Sequence, residues 1–278
     1  MLLGCTYKVK IAYLGFDLLY PCLEALENAG CFVMEVFTCD TDNKYEFNIR
    51  TKSFAEKRKI PCHINRITLD DIHRLKKEGC EAIFCAAYYH KVPIDHSLPI
   101  VNVHPAMLPV GRGPWPMPVT ILRGLPKSGV TLHKMENELD AGDILVQEEF
   151  DVLPCDNLET MTKKICEIGA RLCTQTVNRF DAYWENAKPQ GEYEYWSEPE
   201  KEEYTITPDT TPEIADRILR AFFGFECYLH VSDDSEICVV RGEFVPVKHA
   251  LPFGAEMVVD GFGKGYAASG GAVVIRDL

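Results

Sequence analysis

The chain lacks any apolar run approaching the roughly 18 residues that cross a bilayer, so no membrane span is expected. It is also short of positive charge: 29 Lys and Arg stand against 42 Asp and Glu, a formal net charge of −13. A surface that acidic repels phosphate backbones and argues against a generic nucleic-acid binder. None of the 12 cysteines forms a C-x-x-C pair, which excludes zinc-ribbon and thioredoxin-type sites. Most lie in apolar runs, so we expect reduced thiols that pack as small hydrophobes. Leu2-Leu3-Gly4-Cys5 looks like a lipoprotein cleavage box, yet an export signal needs a basic start and about 7–15 apolar residues before the cut, and only four residues precede Cys5. The expectation is a cytoplasmic protein. Internal repeats and a second cluster of metal-type ligands are missing too, so no metal is expected.

What is present is ordinary globular composition, with 46% hydrophobic and 26% charged residues. At roughly 150 residues per domain, 278 residues suggest about two domains. Residues 8–14, 33–38, 82–86 and 100–103 read as strands, and 18–29, 51–59 and 68–79 as helices between them. Gly30 is a natural C-terminal cap, and Thr68 with Asp71 resembles a capping box. The alternation predicts an α/β domain with a Rossmann-like, mostly parallel sheet covered by helices on both faces. Residues 129–133 and 144–152 read as further strands. Asn157 can cap a long helix with Leu158, Met161, Ile165, Ile168 and Leu172 on one face. We place the first domain at 1–187, a Pro- and acid-rich linker at 188–204, and a small C-terminal domain at 205–278. That last domain has one helix, opened by Thr211-Pro212, and is otherwise β-rich. Gly261-x-Gly263-x-Gly265 lacks a following helix pattern and reads as a turn, not a phosphate loop.

The stretch 101–145 carries the chemistry. Asn102 and His104 stand two apart at the end of a buried strand, hence on one face, and Pro105 bends the chain away. Ligands of open α/β sheets bind beyond the carboxyl ends of strands. An amide can hold a developing oxyanion there, and an imidazole can move protons near neutral pH. Asp140 precedes the next strand, where its carboxylate can reach that imidazole. Without a Ser or Cys nucleophile, the trio suggests direct transfer to an incoming nucleophile. A satisfied loop-end pair without chemistry fits the same residue types, and at this level both readings stand.

The stretch resembles the folate-dependent formyltransferases, whose hallmark is Asn-x-His-x-Ser-x-Leu-Pro followed by Arg-Gly, Gly-Val-Thr and Asp-x-Gly. The matching residues are Asn102, His104, Leu108-Pro109, Arg112-Gly113, Gly129-Val130-Thr131 and Asp140-Ala141-Gly142, in the same order and spacing. Ala106 departs from the pattern, where the family usually has Ser. The resemblance implies a formyltransferase fold and formyl transfer from 10-formyltetrahydrofolate to a primary amine, with no metal. It implies Asn102 on the oxyanion, His104 handling protons, and Asp140 orienting His104. It also implies a folate site at Phe84, Ala86, Ala87, Tyr88, Tyr89 and His90, with Leu139 and Asp140 beside it.

Family members act on methionyl-tRNA, glycinamide ribonucleotide, nucleotide-linked amino sugars or water. The extra N-terminal domain of the deformylases is not expected here, and residues beyond the linker set the chain apart from the single-domain glycinamide ribonucleotide enzymes. The tRNA enzymes carry a basic loop after the second strand. Residues 38–47 hold Asp40, Asp42 and Glu46 against Lys44 alone, and look like the Thr-Asp-Asn loop of the sugar enzymes. Residues 201–278 carry seven bases against 13 acids, 7 − 13 = −6, a poor tRNA platform. A nucleotide-linked amino sugar is therefore the favoured acceptor, with methionyl-tRNA as the alternative. A folate- or nucleotide-binding module without turnover is the alternative from another class. Asn43, Lys44, Arg112 and Trp115 are the candidate acceptor contacts, although Trp115 can equally be packing between prolines. His90 and His133 are expected to be hydrogen-bonded structural residues and Asp143 a turn cap. Association as a homodimer is left open.

Overall fold

The central strands carry apolar side chains on both faces because helices cover both sides of the sheet they form. The computed structural model describes residues 9–232 and 235–276. The lipoprotein-like box ending at Cys5 lies outside the described residues. The strands β1 (Lys10–Gly15), β2 (Phe32–Phe37), β3 (Cys62–His63), β4 (Ala82–Ala86), β5 (Ile100–His104), β7 (Lys127–Lys134) and β8 (Ile144–Asp151) form one sheet, in the order β3-β2-β1-β4-β5-β7-β8. The first five pair parallel, while β7 runs antiparallel to β5. Two further short strands, β6 (Val110–Arg112) and β9 (Glu194–Tyr195), pair with each other.

Helices α1 (Tyr20–Asn28), α2 (Ile49–Arg58) and α3 (Leu69–Lys77) make the crossovers between the parallel strands. The Thr68–Asp71 capping box that opens α3 is formed in both directions. Asp17 caps α2 from a distance, its carboxylate accepting the Arg50 and Thr51 N–H groups and the Thr51 hydroxyl, each at 2.9 Å. Ile72 and Leu75 of α3 join Leu14, Ile83, Leu98 and Ile100 in a buried cluster against the sheet. Asn157 caps α5 (Leu158–Asn178) through the Thr160 N–H at 2.9 Å, and the apolar face from Leu158 to Leu172 is buried. Helix α4 (Pro116–Leu122) is not among the helices read from the sequence, and it carries prolines 116 and 118. They sit in the first turn, where a missing N–H costs nothing. A short α6 (Phe180–Glu185) follows α5.

The chain divides into two compact units that are discontinuous in sequence. One takes the chain up to Gly113, then Gly129–Phe150 and Lys163–Tyr195. The other takes Pro114–Ser128, Asp151–Thr162 and the chain from Trp196 onward. In the second unit, Thr211 accepts the Ile214 N–H and Pro212 starts α7 (Pro212–Ala221). Strands β10 (Thr205–Ile206), β11 (Cys227–Ser232) and β12 (Ser235–Val239) make a three-stranded sheet. Strands β13 (Gly242–Val245), β14 (Glu256–Val259), β15 (Gly263–Ala268) and β16 (Gly271–Ile275) make a four-stranded one, in the order β13-β16-β15-β14. Gly261 and Gly263, at φ 76° and 99°, serve the hairpin between β14 and β15. A strand follows them, not a helix.

Strand order reverses between β1 and β4, the kind of switch point beyond whose carboxyl ends ligands of open α/β sheets bind. The strands approach closely there: a Cβ on Gly15 would lie 2.2 Å from the Ala86 carbonyl oxygen. Gly15→Ala should therefore destabilise the protein by about 1–3 kcal/mol or more through overpacking. Chemical denaturation measures this, and an unchanged midpoint would mean the strands separate at no cost.

Candidate active site

The antiparallel register of β7 on β5 sets Asn102 opposite His133 and His104 opposite Thr131. The loop between β7 and β8 then returns Asp140 to the same place, with Oδ1 3.5 Å from both His104 Nδ1 and His133 Nε2. All three ionisable side chains are buried, at 4% exposure for His104, 1% for His133 and 7% for Asp140. The structure thus brings the expected trio together and adds His133, foreseen only as a hydrogen-bonded structural residue.

Hydrogen bonds define the ring states. His104 Nε2 lies 2.8 Å from the Gly111 carbonyl, which only accepts, so Nε2 carries a proton and Nδ1 is the site that can take one. His133 Nδ1 lies 2.7 Å from the Lys134 carbonyl, so its Nε2 accepts from Asn102 Nδ2 at 3.1 Å. The second Asn102 N–H leans towards Asp140 Oδ1 at 3.4 Å, a weak bond that an arriving anion can replace. Asp140 Oδ2 accepts the Gly113 N–H at 3.0 Å. Burial alone would raise the Asp140 carboxyl, but His104, His133 and the Gly113 N–H outweigh it and hold it at about 2. Burial pushes His104 below the ordinary imidazole value despite the pull of Asp140. Near neutral pH the pair is a carboxylate beside a neutral imidazole that can take a proton at Nδ1.

Asp140 occupies the left-handed region at φ 54°, which Asp and Asn tolerate better than other side chains. The chain beyond His104 is held without the family's serine. Thr131 Oγ1 donates to the Ala106 carbonyl at 2.7 Å and accepts the Leu108 N–H at 3.2 Å.

The segment expected to hold folate begins inside the sheet. Phe84 and Ala86 are fully buried, and the Phe84 ring packs 6.3 Å from Phe180. Ala87 takes φ 55° and its carbonyl accepts the Phe16 N–H at 3.2 Å. The Tyr88 hydroxyl accepts the Ile67 N–H at 3.1 Å, and His90 meets the Tyr88 ring edge-on at 5.3 Å. Tyr89 is half-exposed, packs at a tilt with its ring 4.8 Å from that of Phe16, and donates its hydroxyl to Glu46. Leu139 is half-exposed beside Asp140. A cavity of about 290 Å³ opens at the amino end of β5 and the carboxyl end of β7. Its walls include Ile94, Leu98, Ile100, Met135 and Trp184, with His96, Lys134 and Glu136 as polar groups. Sequence reasoning named none of these, because three separate segments supply them.

In the loop after β2, Asp42 Oδ1 accepts the backbone N–H groups of Lys44, Tyr45 and Glu46, each at 2.9 Å. Asn43 takes φ 53°, and Lys44 Nζ sits 4.3 Å from the Tyr45 ring. Arg112 is buried under Tyr193, its guanidinium 4.1 Å from the ring, and donates to Gln190 Oε1 at 2.9 Å. Trp115 belongs to the second unit, where it packs against Phe222 and Phe225. Asp143 pairs with Lys134 at 3.3 Å. No disulfide joins two cysteines among the described residues. Among the described residues no three metal-type ligands cluster, and no helix is long and apolar enough to cross a membrane.

Residues 35–177 match the family described as formyl transferase. Methionyl-tRNA formyltransferase of Ehrlichia ruminantium (strain Gardel) is 30% identical over 167 residues, 59% of this chain and 54% of that protein. The chain spans about half the length of the curated relatives it matches. HypX from Aquifex aeolicus, in complex with tetrahydrofolic acid, shares the fold with a TM-score of 0.72 at 16% identity, over 95% of this chain and 43% of that one. The N-formyltransferase from Helicobacter canadensis, in complex with folinic acid and dTDP-3-aminofucose, gives a TM-score of 0.67 at 16% identity, over 97% of this chain and 100% of that one. At such identities the structural likeness is one of fold.

Proposed function

The chain belongs to the formyl transferase family, and from that premise we propose that it moves a formyl group from 10-formyltetrahydrofolate to a primary amine carried by a nucleotide-linked amino sugar. The observation that carries this reading is the convergence of part-buried Asn102 with buried His104 and Asp140 at the carboxyl end of β5. The amine lone pair adds to the formyl carbon, and the carbonyl electrons move onto oxygen. The bond from that carbon to N10 of the folate then breaks. The amine loses one proton and N10 gains one, so a formamide and tetrahydrofolate leave.

Asn102 offers its second N–H to the oxyanion, an interaction worth about 3 kcal/mol of barrier. His104 relays the proton through Nδ1, directly or through water, and Asp140 stabilises the imidazolium that forms. In this reading the segment 84–90 borders the folate mainly through its backbone. Asn43, Lys44 and Arg112 are the proposed acceptor contacts, and Trp115 is read as packing among aromatic rings of the second unit.

The charge distribution supports the sugar over tRNA. The loop after β2 holds its shape around Asp42, and Lys44 is its one base. A diphosphate needs one or two bases and a few N–H groups, whereas tRNA affinity needs many phosphate contacts. The Helicobacter canadensis protein of the same fold was solved with a nucleotide-linked amino sugar. The test supplies 10-formyltetrahydrofolate with charged initiator tRNA in one reaction and nucleotide-linked 3- and 4-amino sugars in others. Formylation of a sugar, with negligible tRNA binding at physiological salt, is expected. Efficient formylation of the tRNA with every sugar untouched would overturn the acceptor while leaving formyl transfer standing.

A further inference from the structure

Gln190 lies in the stretch whose composition suggests a linker, yet its amide touches the loop that carries Asp140. Its Nε2 donates to the Asp140 carbonyl and to the Gly142 carbonyl, both at 2.7 Å. Its Oε1 accepts the Arg112 Nε–H at 2.9 Å. Turning the amide over would set Oε1 against two carbonyls and Nε2 against a guanidinium N–H, so all three bonds agree on one orientation. We propose that Gln190 is a positioning residue for the transfer reaction, holding the Asp140 carboxylate in place for His104. The proposal rests on the formyl-transfer reading above.

Two segments decide where the Asp140 carboxylate sits, and Gln190 is bonded to both. The first is the loop itself, which turns through φ 54° at Asp140 and is pressed against β7 at Gly142, where a Cβ would lie 2.0 Å from the Lys134 carbonyl oxygen. The second is Arg112-Gly113, whose Gly113 N–H meets Asp140 Oδ2. Gln190 is itself anchored on both sides. Lys188 and Ile144 exchange backbone bonds at 2.8 and 2.9 Å, and the Glu194 N–H reaches the Pro109 carbonyl at 3.2 Å. The groups facing the His104 ring are the Asp140 carboxylate, the His133 ring and the Gly111 carbonyl. The His104–Asp140 separation of 3.5 Å is already longer than an ordinary hydrogen bond, so slackening either segment weakens their coupling further.

Gln190→Met fills a similar volume with no donor or acceptor, and Gln190→Asn is one methylene too short to span all three partners. In both variants kcat should fall about 10–100-fold, as misplacement near 1 Å does, with KM for both substrates little changed. The acid limb of the pH–kcat profile should move to lower pH, because His104 loses attraction from Asp140 and keeps the penalty of burial. Partial unfolding would scale the whole profile and leave the limb in place. Titration of the His104 ring by NMR in the folded, ligand-free protein reads the same downward shift without turnover. Wild-type kcat in both variants, a loss with the limb unmoved, or an unmoved His104 titration would each overturn the positioning role. A wild-type protein that formylates no amine would instead overturn the formyl-transfer reading, and the NMR titration would still decide the link from Gln190 to His104.

Discussion

His104→Ala is expected to leave a folded protein whose formyl transfer is about 10²–10⁴-fold slower, the range for removing a general acid–base group. The ring is buried and its Nε2–H satisfies the Gly111 carbonyl, so the substitution also leaves an acceptor unpaired. That costs about 1–3 kcal/mol of stability and moves the denaturation midpoint without abolishing folding. Burial lowers the His104 pKa, so the neutral ring is the working form near neutrality. The wild-type rate should hold through neutral pH and fall on the acid side only below the ordinary imidazole value. The residual rate of His104→Ala should lack that limb. Full activity in a folded His104→Ala protein would sink the mechanism.

Asp140→Asn is the second large effect, and the backbone makes it a clean probe. At φ 54° Asn is tolerated nearly as well as Asp, and its amide oxygen can still accept the Gly113 N–H. What disappears is the charge that stabilises a protonated His104. The rate should fall roughly 10²–10⁴-fold, as when the carboxylate beside a catalytic histidine is neutralised in a serine protease. Asp140→Ala should lose activity to a similar extent but unfold more readily, because alanine in the left-handed region costs about 1–2 kcal/mol. Comparing the two by rate and by denaturation separates charge from backbone. Wild-type rates across pH in Asp140→Asn would make Asp140 a structural residue.

Stability links to the same carboxyl. With its folded pKa held at about 2, Asp140 contributes stability above the ordinary carboxylate value, and that contribution fades as pH falls towards 2.

Local rules carried much of the reading. The two-residue period of a strand places Asn102 and His104 on one face whatever surrounds them. The Thr68–Asp71 box, the Asn157 cap and the 3-4 spacing from Leu158 to Leu172 involve only neighbours along the chain, and each is present as the spacing predicts. The acidic balance of residues 38–47 is likewise a property of composition. Register and return paths belong to tertiary structure. His133 reaches Asn102 because β7 turns antiparallel in an otherwise parallel neighbourhood, and one residue of slip would point its ring to the opposite face. Gln190 reaches Asp140 because the chain after α6 pairs back against β8 and β6. The cavity walls meet only when β5, β7 and α6 are packed together. Period and capping act over one turn or one pleat, so the sequence determines them. Contacts between distant segments are selected by the burial of the whole sheet, so only the tertiary structure decides them.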